Sequence, residues 1–403
     1  MAIATGVAKQ VIYKVESTWG SAPGTGSGQV LRRVQSGLSL QKDTYQSNEV
    51  RSDYQMSDFR HGVRRVAGSI SGELSPGTYK DFVAAALRKD FAAVTAITGA
   101  SITIAGSGPT YTVTRAAGSF LTDGIKVGQV VRLTAGSFTA GNLNKNLFVL
   151  SLTATVLTVM VLNGSTLTAE GPIASATVTV PGKVTYVPLT GHTDKSFAVE
   201  HWHSDINQSE LFLGCKVSNL SLGLPPTGLA TIGMDMMGKD VTTATSGYYV
   251  SPTAAGTTGI TAAVNGVLTA QGSAVALVTG LDMRIAGNMQ ATPVVGSNTY
   301  PDIFEGRVMV TGNMSVYFQD ATFRDYFINE TEVALSVALA SNNLAASDFI
   351  TLSCPRIKFG GADKNDGDSG LIQTMPFQAL LATSGGAGVS NEQTTLYVQD
   401  SQA

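Results

Sequence analysis

The side chains able to do chemistry are few and poorly placed for it. His201-Trp202-His203 sets two of the four histidines two positions apart, which puts both imidazoles on one face of a strand. Cys215 stands where a neighbouring strand could bring it alongside. Zinc needs a third and a fourth ligand, and none follows at a usable spacing, so the pair reads as polar residues on the solvent side of a strand. The stretch from Asp363 to Asp368 (DKNDGD) has the outline of a calcium loop. An EF-hand wants Gly at position six and Glu at twelve; here Gly367 is fifth and Thr374 twelfth, and a β-hairpin loop is the better reading. The glycine-rich run from Gly20 to Gly28 lacks the Lys-Ser/Thr that ends a Walker loop. Between Gly68 and Gly72, Ile70 occupies the place where a nucleophile elbow needs serine. The carboxylates are scattered, with no pair set up for general acid–base work. Arg60-His61-Gly-Val-Arg64-Arg65 is the densest run of charge. Nucleic acid could contact it, but acidic groups of a neighbouring subunit suit it better. No catalytic, metal-binding or cofactor-binding residue is expected, and the chain does not read as an enzyme.

Composition agrees with a structural role. Charged residues are 14% of the 403, against roughly 25% in ordinary soluble chains. The 44 glycines are in excess of the usual ~7%. With 43% hydrophobic residues a sizeable core can form, which excludes disorder for most of the chain. A net charge of −3 lacks the basic surplus of a dedicated nucleic-acid binder, and two cysteines exclude a disulfide scaffold. No basic region followed by an apolar run opens the sequence, so no secretory signal is expected. Residues 146–169 carry no charge. The apolar part, 147–162, is shorter than the ~20 residues of a membrane helix and is broken by Ser151, Thr153, Thr155 and Thr158. Two strands explain it better, and no membrane is expected as a partner.

The elements that must position any site fall into an unusual plan. Residues 91–190 hold seven charges in 100 positions, against 48 in the other 303. They repeat short β-type runs bounded by Gly and Pro, which reads as a sandwich or barrel of about 90 residues. This segment is set into a repeat. Asp58, Gly62, Gly68, Ser71 and Thr78-Tyr-Lys-Asp-Phe82 recur 244 positions later as Asp302, Gly306, Gly312, Ser315 and Thr322-Phe-Arg-Asp-Tyr326. Two weaker matches, Cys215 with Cys354 and Gly228 with Gly370, are 139 and 142 apart. The drop of about 100 has the size of residues 91–190. Internal repetition of this kind is settled before any fold is assigned.

Each repeat begins with a long β-rich stretch, 38–70 and 281–318, interrupted by a polar segment. A helix follows, with Ser75-Pro76 as cap and first turn in one copy and residues 321–327 in the other. Three further strands complete each copy. The expected architecture is mainly β. Residues 1–90 plus 191–240 form one discontinuous copy, 91–190 an inserted β-sandwich, and 241–403 a second copy, each copy a β-sandwich or barrel with one flanking α-helix.

Residues 7–20 (VAKQVIYKVESTWG) resemble the opening of tail tube (major tail) proteins of long-tailed bacteriophages. So do Leu31-Arg-Arg-Val34, Ser47-Asn-Glu49, Asp58-Phe-Arg-His-Gly62 and residues 72–82, and in the second half Pro301-Asp-Ile-Phe-Glu-Gly-Arg307 and Met375-Pro-Phe-Gln-Ala379. The resemblance covers most of the chain outside 91–190. That segment resembles the surface domains, often immunoglobulin-like, that some tail proteins carry. The resemblance implies a virion protein, assembled in the bacterial cytoplasm, whose homo-oligomeric rings stack into a hollow tube for DNA ejection. It implies the tape measure protein and the tail terminator and distal tail proteins as partners, and transient, non-specific contact with DNA in the lumen. Two copies per chain then favour a trimeric ring over a hexameric one.

The interrupting polar stretches are the expected inter-subunit or inter-ring loops, with Ser47, Asn48, Glu49, Arg51, Asp53, Asp58 and Arg60 in one, and Asn298, Tyr300, Asp302, Glu305 and Arg307 in the other. Lumenal acids are implied by the resemblance, and Asp43, Glu49, Asp53 and Asp282 are the candidates. A baseplate or capsid β-protein is the alternative within structural proteins. A carbohydrate-binding module is a further one, although the insert's aromatic residues are spread singly and include no Trp.

Overall fold

In Thr231–Gly238, the side chains of Ile232, Met234 and Met236 are buried while Thr231 and Asp235 are exposed. In Ile372–Ala379, Gln373, Met375, Phe377 and Ala379 are buried while Thr374, Pro376 and Gln378 are exposed. Such alternation makes a strand with one face on a core and one on solvent. The computed structural model describes residues 3–403 apart from 276, 367, 369 and 387. Outside residues 97–179 it is dominated by strands, some of this kind and some, such as Phe197–His203 and Val333–Ala340, largely buried on both faces, arranged twice in one order.

In the first half, Ser39–Gln46 pairs with Phe59–Glu73, which pairs with Thr231–Gly238, which pairs with Gln208–Leu224. In the second half, Val278–Ala286 pairs with Met309–Tyr317, then Ile372–Ala379, then Phe349–Phe359. A second layer is also matched. Lys9–Val15 lies on Phe197–His203, which lies on Gln208–Leu224, which lies on Asp240–Ala244. Gly266–Ala270 lies on Val333–Ala340, then Phe349–Phe359, then Tyr397–Asp400. The halves join through Gln208–Leu224 and Val278–Ala286, with Asn219 opposite Ala286 and Leu224 opposite Leu281. One continuous apolar cluster fills both, from Ile70, Phe82 and Met234 through Leu220 and Ile285 to Met314, Met375 and Phe359.

The helix of the first half, α1 (Lys80–Leu87), buries Phe82, Ala84, Ala85, Ala86 and Leu87. The Phe82 ring lies 4.7 Å from both Tyr13 and Phe197. The helix starts later than Ser75-Pro76 implies: Tyr79 is the N-cap, and Ser75 bonds the Thr78 hydroxyl in a preceding turn. Its counterpart α2 (Thr322–Ile328) falls within a residue of the expected span and has no buried residue.

The glycines at 68 and 312 meet the same crowding in each half. A Cβ on Gly68 would sit 2.3 Å from the Gly37 carbonyl oxygen, and one on Gly312 2.3 Å from that of Asp282. The cysteine correspondence fails by three residues. Phe197 and Val199 face Cys215 and Phe212, whereas Val333 and Leu335 face Ile357 and Cys354. Cys354 therefore occupies the place of Phe212, and identity of residue type had misaligned the strands.

Residues 97–179 close into a six-stranded barrel. The order around it is Ile97–Ala105, Thr110–Arg115, Val156–Val161, Leu147–Leu152, Val130–Ala135 and Glu170–Thr179, which returns to the first. The immunoglobulin-like sandwich implied for this segment is corrected here. Glu170–Thr179 shifts register at several points along its two partners, and such bulges bend a strand as a sheet closing on itself requires. The continuous apolar run 147–150 also finds its cause. Leu147 and Val149 face the barrel core, while Phe148 and Leu150 pack with Ala338 and Phe349 of the second half.

The barrel leaves the chain after α1 of the first half but docks on the second. Gln399 accepts from the Val130 N–H (2.8 Å) and donates to the Val130 and Pro181 carbonyls. Gln129 bonds the Tyr397 hydroxyl. The buried Lys126 ammonium donates to the Gly386 and Val389 carbonyls, 2.7 and 2.9 Å. Asn146 donates to the Ser347 carbonyl at 2.8 Å. The return strand Lys183–Tyr186 pairs with Tyr397–Asp400, and the Asp400 carboxylate accepts from the Gly77 N–H before α1.

Candidate functional site

The larger sheet has a polar face running across both halves. Register puts Ser69 beside Asp235, Asp235 beside Asn219, and Asn219 beside Ala286. It likewise aligns Asp282 with Asn313 and Pro376, and Arg284 with Thr311, Gln378 and Lys358. The second group, from Asp282 to Lys358, lines an open trough together with Ser221, Gly223 and Thr231. The face is mostly hydroxyl, amide and glycine with few charges. Asp282 and Arg284 are exposed on it, and the Asn219 amide donates to Asp235 at 3.2 Å.

Of the four expected lumenal acids, Asp282 is on this face. Asp43 is at its margin in an ion pair with Arg65 at 2.8 Å. Glu49 and Asp53 are carried beyond the strands on the loop 47–58, where a bond from Arg51 holds the Asp53 carboxyl below its ordinary range. Asp235 and Glu73 were missed. The alternation of Ile232, Met234 and Met236 already fixes Asp235 on the face opposite the core.

The sheet has two open edges. Ser39–Gln46 pairs only with Phe59–Glu73 among the described residues. Phe349–Phe359 pairs with Val333–Ala340 as far as Ile357. Beyond Ile357 that edge takes no partner among the described residues, whereas the matching edge of Gln208–Leu224 takes Leu281–Ala286. Unpaired edges of this kind template the addition of another strand.

The two polar loops behave differently. Residues 47–58 stand clear of the molecule, with Val50, Tyr54 and Met56 exposed along with Phe59. The loop's contacts are its own: Arg51 with Asp53 at 2.7 Å, Arg60 with Asp58 at 2.6 Å, and Ser57 with Ser47. Asn48 and Glu49 are exposed. Residues 287–308 instead fold back on the first half. The Lys216 ammonium, with its side chain 2% exposed, reaches Asp194 at 2.6 Å, Asp302 at 3.4 Å and the Ile303 carbonyl at 2.9 Å. Arg88 pairs with Glu305 at 3.0 Å, and burial raises the Glu305 carboxyl. Tyr300 and Ile303 are buried, and the Asn298 carbonyl accepts from the Arg64 N–H. Asn298, Tyr300, Asp302 and Glu305 therefore make contacts inside the chain. Arg307 is exposed, its carbonyl accepting from Asn288.

Other sequence expectations change as well. His201 is buried, not on solvent. It bonds Ser36 at 2.7 Å, and burial lowers its pKa to about 3. Cys215 lies opposite Phe197 rather than His201. No group of three or more possible metal ligands occurs among the described residues. Asp363–Lys364 pairs with Gln373–Thr374 as a hairpin would; Gly367 lies outside the described residues. The arginine cluster finds acids within its own chain: Arg60 with Asp58, Arg64 with Asp240 at 2.6 Å, and Arg65 with Asp43. No helix among the described residues is long and apolar enough to cross a membrane.

The described residues thus present a polar sheet face, two open strand edges and a loop, 47–58, whose contacts are its own. Residues 6–379 match the family described as phage tail tube protein. No curated protein matches the chain.

Proposed function

The chain belongs to the phage tail tube protein family, a structural component of the virion tail, and on that premise we propose that it polymerises into stacked rings that form the hollow tube for DNA ejection. Each chain supplies two copies of one tube fold. The supporting observation is the twofold recurrence of the same strand order, in both layers, around the same helix position. The shared crowding at Gly68 and Gly312 points the same way. Residues 1–90 and 191–240 belong to the first copy. The pairing of Asp240–Ala244 with Ser209–Leu213 supports extending that copy through Ala244, with the second copy following. Residues 91–190 are the insertion.

The joint between the copies is the pattern for the joint between chains. Within the chain, the late part of Gln208–Leu224 takes Val278–Ala286. Between chains, the corresponding end of Phe349–Phe359 takes Ser39–Gln46 of the next subunit. Three chains then give six tube domains in a closed barrel, which removes every open edge. The polar face lines the lumen. Its hydroxyls and amides, with acids such as Asp282 and Asp235 that repel phosphate, let DNA pass without sticking. The exposed loop 47–58 makes the contacts between subunits or rings, and the tape measure, terminator and distal tail proteins meet the tube along and at the ends of the lumen.

Electron microscopy of the purified, assembled chain tests this. Tubes of uniform diameter with threefold rings of three chains are expected. Strict sixfold density at subunit resolution would refute the trimer. Particles without a tube would favour a baseplate or capsid component.

A further inference from the structure

We infer that Asp58 of one subunit pairs with Lys358 of its neighbour, completing a charge triad with Glu330 that copies the Asp194–Lys216–Asp302 triad inside the chain. The inference rests on the ring reading above and adds the residues that lock the joint. Lys216 and Lys358 are equivalent by register. Ala67, Met237 and Lys216 lie side by side in one half, and Thr311, Gln378 and Lys358 in the other. The first acids are equivalent too. Asp194 stands three residues before Phe197, which faces Cys215, and Glu330 three before Val333, which faces Ile357. Both contacts exist: Lys216 to Asp194 at 2.6 Å and Lys358 to Glu330 at 3.4 Å.

The third member is present in only one half. Asp302 comes to Lys216 from the loop of the second copy because that loop folds back onto the first. Its equivalent, 244 positions earlier, is Asp58, which this chain cannot bring to its own Lys358, since the two lie at opposite edges of the sheet. Two further observations show that the position awaits a cover. The Lys216 side chain is 2% exposed and that of Lys358 is 37% exposed. The buried Tyr300 and Ile303 that accompany Asp302 correspond to Met56 and Phe59, both exposed. When Ser39–Gln46 adds to the neighbour's edge, the loop 47–58 settles over Lys358, burying Met56 and Phe59 and exchanging the Asp58–Arg60 pair for Asp58–Lys358.

Zero-length crosslinking of assembled tubes tests the contact. Equal amounts of unlabelled and 15N-labelled chain are assembled and treated with a water-soluble carbodiimide, which condenses a carboxylate and an amine only where they touch. Peptides joining Asp58 to Lys358 are expected in mixed-isotope as well as single-isotope form. The Glu330–Lys358 link appears in single-isotope form only and serves as the internal control. Tubes that yield the control link without a mixed-isotope Asp58–Lys358 link overturn the inference and leave the ring reading standing. Failure to form any ring refutes that reading, and the contact with it. A charge exchange gives a second measurement. Asp58→Lys sets two ammonium groups together and raises the critical concentration for assembly roughly tenfold or more, with the subunit's circular dichroism unchanged. Adding Lys358→Glu restores assembly; a double variant no better than the single one counts against the pair.

Discussion

The proposed joint between subunits can be tested by trapping it with cysteines at positions read from the joint inside the chain. Asn219 lies opposite Ala286, and the adjacent Gly287 N–H donates to the Ser218 carbonyl at 2.8 Å. Hydrogen-bonded and non-hydrogen-bonded pairs alternate along an antiparallel ladder, so Asn219 and Ala286 form a non-bonded pair, whose side chains approach most closely. Ala286 faces Met309 as Gln41 faces Arg65. Asn219 faces Asp235 as Gly360 bonds Pro376. Gln41 of one subunit should therefore stand opposite Gly360 of the next, with Cβ atoms about 4.5–5.5 Å apart, slightly above the roughly 3.5–4.5 Å of a disulfide and within reach of a small adjustment. A Cβ on Gly360 meets nothing nearer than 3.7 Å, so Gly360→Cys is tolerated, and Gln41 is exposed. The native cysteines are silent. Both are buried, and burial pushes the Cys354 thiol up to about 12 and that of Cys215 higher still.

Oxidation of the assembled Gln41→Cys/Gly360→Cys variant should yield one limiting covalent species on a non-reducing gel. With a chain of 41.8 kDa, three linked subunits make about 125 kDa. A limit near six chains would refute the trimer, and an unbounded ladder would mean the joint propagates along a fibre instead of closing. Normal tubes with no crosslink would refute the register. Asn219→Cys/Ala286→Cys, which should close within a single chain, controls for the chemistry.

Other perturbations read the fold itself. Phe82→Ala removes a fully buried ring between Tyr13 and Phe197 and should cost about 3–5 kcal/mol in a denaturant melt; a loss under about 1 kcal/mol would contradict that packing. Gly128 has φ +82°, and a Cβ there would lie 2.6 Å from Ser353 Oγ. Gly128→Ala should therefore cost about 1–2 kcal/mol from backbone strain alone and expose the barrel's attachment to limited proteolysis; an unchanged digestion pattern would show a loose dock. Burial raises Asp400 to about 6. Between pH 4 and 6 the folded state keeps a proton that the unfolded chain releases, and stability falls as pH rises. His201, lowered to about 3, acts in the opposite sense below about pH 6.5. Asp400→Asn should thus make Tm fall more steeply as pH drops from 6 to 4; parallel native and variant curves would refute the assignment. Deleting residues 46–57 should leave a folded, soluble subunit that fails to polymerise, and normal tubes from it would exclude the loop from assembly.

Much of the tube fold was legible because strands advertise themselves by alternation. Residues 231–238 and 372–379 show which side is core without reference to any neighbour. The 244-residue repeat was equally plain, since Gly68 and Gly312 answer to the same close approach of backbone. What stayed hidden depends on partners far apart in sequence. Nothing near Asp302 marks it as the counter-ion of Lys216, and nothing near His201 shows that Ser36 and Phe212 will enclose it. The Cys215–Cys354 match misled because a strand's register follows from its bulges and neighbours, not from one shared residue. The spacing of residues 97–179 left sandwich and barrel open, because closure depends on register irregularities in Glu170–Thr179 and Val156–Val161 that the local pattern does not mark. Within the arginine cluster, the partner of Arg60 was two residues away at Asp58, but those of Arg64 and Arg65, Asp240 and Asp43, are distant in sequence.

The strand Tyr397–Asp400 bears on how the chain folds as it is made. It pairs with Lys183–Tyr186 and Ile350–Ser353, presents Gln399 to the barrel, and sends the Asp400 carboxylate to Gly77, 323 positions earlier. A ribosome delivers residues 77 and 183 long before residue 400, so for most of synthesis the segment before α1 and the strand returning from the barrel wait without their partner. Loops this long close slowly. The return strand Lys183–Tyr186 and the turn at Gly77 therefore gain these partners only after residue 400 has been made.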